Sequence, residues 1–500
     1  MGEASGGEAP SGQGVAPRSR GDGLRNNLRC SIVDGTAYMC MVGVAEAYFQ
    51  AFALELGLGE VVAGLITTVP LLIAAGLNLL TPFFVRRLGS YRLWVAGTAA
   101  FQSLSLIPLI VVAIVGTVPA WLLFGLVAMY LAGAIMGGPA WQAWMAVMVP
   151  RRLRAGFFAK RNRWLQAGQF VSIIFAGVAI RVSNLVDGTA RAEEQSADGH
   201  EGAELAPGQV KAGSAVDTAV GGDASSPAAE LGAPVGGEGD ASLSLMDWHG
   251  GDLTLLTFAG LFVVAALCRA VSTIYLFKQT EPRPIPHTER GVGVRAFIHR
   301  LMHGREGPVI AYILAFQFAL QAALPYWTPY VREELGLDYA AYVLLQAGLF
   351  LGRMLALPIL GRIATLWGPT RVLVGAGWAV IPTSLLWLSS PSPWALFAAH
   401  LVIGAILAAF ELASFILLLE TTTSEERTSV LAKHTLLQSL AMVGGASFGG
   451  WLLSMGSDAA GGYGLVFIAA VALKALTLPF LWRLQRSMRA ARARESRSES

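Results

Sequence analysis

Residues 82–92 read PFFVRRLGSYR, and residues 361–371, 279 positions later, read GRIATLWGPTR. In both stretches a Gly stands three residues before an Arg (Gly89 and Arg92, Gly368 and Arg371), and in both a short basic stretch joins two long apolar segments. Working outward, Glu55-Leu56-Gly57-Leu58 recurs at the same offset as Glu334-Leu335-Gly336-Leu337. At an offset of 273, Phe124 matches Phe397, Arg154 matches Arg427 and Gly177 matches Gly450; at 205, Phe262 matches Phe467 and Arg269 matches Lys474. Matches kept in constant order along a chain are the mark of a duplication. The fall in offset from 273 to 205 places 68 extra residues in the first copy.

The segments being duplicated are membrane spans. Of 500 residues, 54% are hydrophobic and only 14% charged, whereas soluble domains carry about a quarter charged residues. A span needs about 20 apolar residues. Segments of that kind lie at roughly 31–55, 60–85, 93–115, 119–148, 164–186 and 253–277, then at 308–331, 339–361, 372–390, 394–419, 434–455 and 464–482. The expected fold is an all-α membrane protein of twelve transmembrane helices in two pseudo-symmetric six-helix halves. The first half covers 31–277 and the second 308–484, joined by a cytoplasmic linker over 278–307. Residues 1–30 read as a disordered tail and 485–500 as a basic tail; the first apolar segment is too long for a signal-peptide core and carries Asp34 and Glu46. Residues 187–252 hold 13 acidic side chains against Arg191 and Lys211, among Gly, Ala and Ser. Such a stretch buries too little apolar surface to fold, and reads as a disordered acidic external loop.

Charge sets the orientation. With the N-terminus inside, 29 of the 36 Lys and Arg fall on inner loops and tails, while outer loops hold only Arg191, Lys211 and Arg332. That asymmetry follows the positive-inside rule, so both termini are expected in the cytoplasm and the chain in the cytoplasmic (inner) membrane.

Two six-helix halves with inward termini and a basic central loop resemble the major facilitator superfamily of secondary transporters, over residues 31–484 or so. The superfamily's signature between helices 2 and 3, Gly-x-x-x-Asp-x-x-Gly-x-x-Arg, aligns with both opening stretches. Its second Gly and its Arg are kept, as Gly89 with Arg92 and Gly368 with Arg371. Its Asp is replaced by Arg86 and Thr365, so the charge relay tied to that Asp is not carried over. The run from Gly138 through Trp141-Gln142-Ala143-Trp144 to Pro150, Arg154 and Arg161 looks like the helix 4–5 junction of bacterial members. The resemblance implies alternating access to a midplane site between the halves, with helices 1, 4, 7 and 10 lining the cavity.

Ionisable side chains inside a bilayer cost at least a few kcal/mol and are functional candidates by default. Glu46 lies 15 residues into the first apolar segment, with Gln50 one turn further on the same face. With Glu411 these residues are candidates for proton coupling or substrate binding. Asp34, Arg269, Arg353 and Lys474 are candidate partners in buried pairs, Glu411 with Arg353 foremost and Asp34 with Arg269 or the Arg cluster after helix 4. Arg269 and Lys474 alternatively snorkel to the inner surface. On the cavity helices implied by the resemblance, Trp141, Gln142, Trp144, Gln317, Gln321, Tyr326, Trp327 and Phe410 are expected at the wall, and Tyr330 in an interfacial belt. Gly89, Arg92, Pro150, Arg154, Arg161, Gly368, Arg371 and Arg427 form a candidate cytoplasmic hinge or gate, with Arg154 and Arg161 placed to cap helix carbonyls.

Other chemistries find no support. No Gly-Lys dipeptide exists for a phosphate loop, and Cys30, Cys40 and Cys268 suggest no disulfide framework. His299 and His303 have a metal-compatible spacing but sit in a basic amphipathic stretch suited to the inner membrane surface. No catalytic cluster and no compact basic domain for nucleic acid are readable. The expectation is a monomeric, cofactor-free, non-enzymatic transporter of a small organic solute, coupled to protons or Na+ and surrounded by lipid. The competing reading is a receptor or scaffold that uses the acidic loop.

Overall fold

The computed structural model describes residues 20–201, 253–281, 291–304, 306–337, 339–456 and 459–499. Helices dominate, and eleven of them are long and apolar enough to cross a membrane. In the first half, helix 1 runs Arg20–Val44 and resumes at Phe49–Glu55, helix 2 covers Val62–Leu88, helix 3 Tyr91–Val115 and helix 4 Ala120–Met148. Helix 5 is Arg151–Glu201 and helix 6 Leu253–Lys278. A short linker helix, Val294–His303, leads to helix 7, Gly307–Pro329. Helix 8 is Tyr339–Trp367, helix 10 Pro393–Thr421, helix 11 Arg427–Ser454, and helix 12 Ala459–Leu476 continuing as Leu478–Glu499.

Helix 9 is the twelfth crossing and is interrupted. Pro369–Ala379 gives way to a turn and then to Thr383–Leu386. Pro382 has no N–H and clashes with the preceding turn, which ends a regular helix at that point. Its counterpart in the first half, helix 3, is also broken, at Ser105.

Three boundaries differ from those read from sequence. Helix 1 begins at Arg20, inside the expected tail, and helix 5 continues to Glu201, inside the expected acidic loop. The C-terminal stretch after 485 is helical to Glu499. Hydropathy marks only the apolar part of a helix, so polar extensions beyond the bilayer go unseen. Residues 1–19 and 202–252, the remainder of the tail and of the acidic loop, lie outside the described residues.

Within each half the helices approach closely where small residues allow it. Helix 4 packs on helices 2 and 3, and helix 1 on helices 5 and 6; in the second half, helix 10 packs on 8 and 9, and helix 7 on 11 and 12. Gly348 of helix 8 lies against the Phe397 carbonyl, and Gly352 and Gly404 against the Leu401 and Leu349 carbonyls, so helices 8 and 10 meet backbone to backbone. In a membrane such small-residue contacts supply the packing that a hydrophobic effect between helices does not. Outward-facing surfaces are apolar: Val111, Ile114, Phe175, Leu267 and Ile468 are all exposed. Exposed apolar surface on this scale suits lipid, not water, and the chain is a multi-pass membrane protein.

Gly404→Leu should therefore lower stability by about 2–3 kcal/mol through overpacking, read as a lower melting midpoint in detergent. Gly125→Leu, at a helix 4 position with open space around it, should leave the midpoint within a degree or two of the parent; equal effects at both positions would contradict the close 8–10 seam.

Candidate functional site

Helix 1 organises the polar interior of the first half. Asp34 is buried, and Ser272 Oγ of helix 6 donates to its Oδ1 at 2.6 Å. The same Ser272 hydroxyl accepts from Arg269 Nη1 at 2.9 Å, so Arg269 reaches Asp34 through one hydroxyl. Arg161 of helix 5 sits with Nη2 3.9 Å from Asp34 Oδ2, donates through Nε to the Ser31 carbonyl at 3.1 Å, and stacks over Trp141 at 4.3 Å. The Arg269 guanidinium lies 4.7 Å above the Tyr38 ring. Asp34, Tyr38, Trp141, Arg161 and Arg269 line a cavity of about 190 Å³. Two cations thus share one carboxylate, with Ser272 and two aromatic faces supplying what the single pair lacks.

Glu46 stands apart from that cluster. Twelve residues beyond Asp34, it is about 18 Å further along the helix at 1.5 Å per residue. It sits where helix 1 breaks: after Val44 the chain passes through a tight turn, Glu46–Tyr48, before helix resumes at Phe49. Its one hydrogen bond comes from Tyr130 Oη of helix 4, which donates to Oε2 at 3.2 Å. Glu46 has no cation within 4 Å among the described residues.

The break is repeated in helix 7, where a tight turn covers Leu324–Tyr326. The two turns are held alike. Tyr48 Oη donates to the Ile173 carbonyl of helix 5 at 2.6 Å, and Tyr326 Oη donates to the Ala446 carbonyl of helix 11 at 2.6 Å. Ile173 and Ala446 stand 273 positions apart, the offset already read for helices 5 and 11. A second device is duplicated at the Arg-rich ends. Arg154 donates to the Ala146 and Val149 carbonyls that end helix 4, and Arg427 to the Leu419 and Thr422 carbonyls that end helix 10. All three positions in one set match those in the other at 273. Each Arg satisfies carbonyls left without partners at a helix C-terminus.

In the second half, Arg353 of helix 8 and Glu411 of helix 10 form an ion pair, Nη2 to Oε1, at 3.2 Å. Arg353 also lines a larger cavity, about 750 Å³, between helices 1, 5 and 8. Tyr48, Gln169, Phe170, Tyr342, Gln346 and Phe350 form much of its wall. Most of these lie on helices 5 and 8, which the cavity rule used on the sequence did not include; the amides of Gln169 and Gln346 inside apolar spans were the signal available. At the Arg-rich end the halves are in contact. Trp141 and Phe158 pack on Phe415 of helix 10, the latter at 4.7 Å between ring centres, and Asn78 Nδ2 of helix 2 reaches the Ala432 carbonyl of helix 11 at 3.5 Å.

The remaining expected residues distribute as follows. Gln50 is exposed, and Gln142, Gln317 and Gln321 are half-buried, with the Oε1 atoms of Gln142 and Gln321 lacking a partner among the described residues. Gly89 ends helix 2 at φ 63° and Gly368 precedes helix 9 at φ 85°; this left-handed region is costly for residues with a Cβ, which accounts for Gly at both signature positions. Pro150 lies between helices 4 and 5, Arg92 is half-buried, and Arg371 is exposed beside the C-terminal helix.

Several wall assignments are corrected. Trp144 is fully buried within the bundle, and Phe410 is buried and stacked on Phe316 at 3.8 Å. Trp327 is buried between Trp387 and His400, and Tyr330 is buried and packs on Phe467. Arg269 and Lys474 do not snorkel. Lys474 is 2% exposed and donates to Thr383 Oγ1 and Ser384 Oγ at the break in helix 9, with no carboxylate partner among the described residues. His299 and His303 stack on the linker helix, and no group of three or more metal-ligating side chains occurs among the described residues.

The family model of the Major Facilitator Superfamily matches residues 309–499. No curated protein matches the sequence. Among solved structures, the chain is similar to a bacterial homologue of the iron transporter ferroportin in an outward-facing state, with a TM-score of 0.59, 12% identity, and coverage of 93% of this chain and 99% of that one. It is similar to the E. coli fucose:proton symporter FucP (TM-score 0.61, 12% identity, 92% and 98% covered) and to the proton:xylose symporter XylE (0.57, 14%, 93% and 96%). At these identities the likeness is one of fold. The chain has the major facilitator fold in both halves, as the sequence led one to expect.

Reversing either charge of the Arg353–Glu411 pair should lower stability by about 1–2 kcal/mol, between the exposed and buried limits for ion pairs. The double reversal, Arg353→Glu with Glu411→Arg, should recover at least half of that in a thermal melt. Strictly additive losses would show that the two side chains do not depend on each other.

Proposed function

We propose that this chain is a secondary active transporter that moves a small organic solute across the cytoplasmic membrane, by alternating access of its two halves, with proton binding at Glu46 as the coupling step. The observation that carries the reading is the setting of Glu46: a carboxylate without a counter-cation among the described residues, at the break in helix 1, bonded by the Tyr130 hydroxyl. Ala47 and Tyr48, the next residues, already line the 750 Å³ cavity. A protonated Glu46 is neutral and donates a hydrogen bond; an ionised one is a charge in a low-dielectric wall. The two states favour different surroundings, and an ion that switches between them biases which side of the protein is open. Fucose:proton and proton:xylose symporters share the fold, which supports a proton as the coupled ion, with Na+ as the competing one.

The cavity also bears on the solute. Phe170, Phe350, Tyr48 and Tyr342 offer ring faces, and Gln169, Gln346 and Arg353 offer hydrogen bonds. A ring-bearing or amphipathic compound of modest size fits that wall. With the Arg-rich ends inside the cell, the contacts of Trp141, Phe158 and Asn78 with the second half close the cytoplasmic side. The arrangement is then an outward-facing one, with both termini in the cytoplasm. Opening the other way requires these contacts to part while the Tyr48 and Tyr326 turns take up the change in helices 1 and 7.

The test is solute-evoked proton movement in proteoliposomes loaded with a pH-sensitive dye, screened over sugars, amino acids and aromatic acids. A transported solute should drive proton flux, and Glu46→Gln should abolish that flux while keeping solute exchange at equal pH on both sides. Full proton-driven uptake in Glu46→Gln would overturn the assignment, and flux that requires Na+ and ignores pH would replace the proton with sodium.

A further inference from the structure

We propose that the seam between helices 5 and 8 at the Arg-rich end is a binding site for one anionic phospholipid, whose phosphate bridges the two halves. A groove of about 640 Å³ lies there, outside the interior cavities already described. Helix 5 contributes Lys160, Arg163 and Trp164, and helix 8 contributes Arg362, Thr365 and Leu366. Among the described residues, Lys160, Arg163 and Arg362 are exposed and make no hydrogen bond or ion pair, and no acidic side chain among them lines the groove. The neighbouring cations are differently placed: Arg154, Arg161 and Arg427 are buried on helix carbonyls, and Arg300 is paired with Glu306 and Glu426.

The charge lies across a seam, and that is what calls for a ligand. Lys160 and Arg163 belong to the first half and Arg362 to the second, so packing helix 5 against helix 8 brings like charges together. The packing is close: a Cβ on Gly361 would fall 2.5 Å from that of Ala159. An anion between them turns repulsion into a bridge. The rim selects among anions. Trp164 is 53% exposed and Leu366 79% exposed, and both present apolar surface beside the cations. A free phosphate ion makes no use of that surface, whereas a diacyl lipid lays its chains on it. The depth agrees, because the groove sits where the basic inner ends of the spans meet the headgroup layer, which in the cytoplasmic leaflet is rich in anionic lipid. Because the groove exists only while helices 5 and 8 are in contact here, the bound lipid favours this arrangement of the halves over any in which that contact parts. None of this depends on Glu46 or on the identity of the solute.

The experiment is native mass spectrometry of the full chain in nonionic detergent, titrated with equimolar dioleoyl phosphatidylglycerol and dioleoyl phosphatidylcholine. The parent should retain one phosphatidylglycerol with roughly tenfold preference over phosphatidylcholine. The triple variant Lys160→Gln, Arg163→Gln, Arg362→Gln should lose that preference. A control triple that removes equal charge elsewhere on the same face, Arg87→Gln, Lys278→Gln and Arg295→Gln, should keep it. All six positions are exposed, and unchanged melting midpoints check that each protein is folded; Arg362→Lys, which keeps the charge, should retain the lipid in any case. Equal loss in both triples would overturn the site in favour of diffuse attraction to the whole basic face. Displacement of the lipid by glycerol phosphate at matching concentration would overturn the lipid in favour of a free phosphate compound.

Discussion

A bilayer offers no water to a charge, and the arrangement of this protein's interior follows from that constraint. Asp34 shares Ser272 and two guanidiniums. Arg353 meets Glu411 across helices 8 and 10. Lys474 has two hydroxyls at the one place in helix 9 where the backbone turns. Arg154 and Arg427 take up helix-end carbonyls. In each case a cost of several kcal/mol is offset by partners drawn from a second helix or from a helix end, so the polar groups also tie the bundle together. Glu46 departs from the pattern, with a single hydroxyl for a partner among the described residues, and that departure is why coupling is proposed there.

Duplication explains what is shared between the halves, and its failures show where they have specialised. The Arg-to-carbonyl caps and the Tyr-to-carbonyl ties recur at matching positions with matching partners. These are structural requirements of the fold: a helix end at the Arg-rich face and a break in helices 1 and 7. The carboxylate of Glu46 is not repeated, since the corresponding turn in helix 7 holds Leu324 and Pro325. Nor is the Asp34 cluster; Lys474 stands where Arg269 does, without an acid beside it among the described residues.

Much of this was legible in the sequence because it is written in composition and spacing. Span lengths and the offsets 279, 273 and 205 require no knowledge of packing. The facing of side chains was not legible. A helix that is apolar all round has no preferred face in its periodicity, so Trp144, Trp327 and Phe410 read equally well as wall or core and proved to be core. The break at Glu46 has no proline to announce it, unlike Pro325 in helix 7 and Pro382 in helix 9. The cavity between helices 1, 5 and 8 depends on how the halves meet, which no single segment encodes. The partner of Arg353 could be guessed because two opposite charges at similar depth in lipid leave few alternatives.

The most direct test is to observe the proton on Glu46 itself, by infrared difference spectroscopy of the purified protein in lipid as pH is stepped. The expected result is a carbonyl band of a protonated carboxylic acid that changes with pH, shifts in Tyr130→Phe as its hydrogen bond is lost, and is missing in Glu46→Gln. A spectrum in which every titrating carboxyl band survives Glu46→Gln would contradict the account, because the carboxylate singled out by its surroundings would then bind no proton.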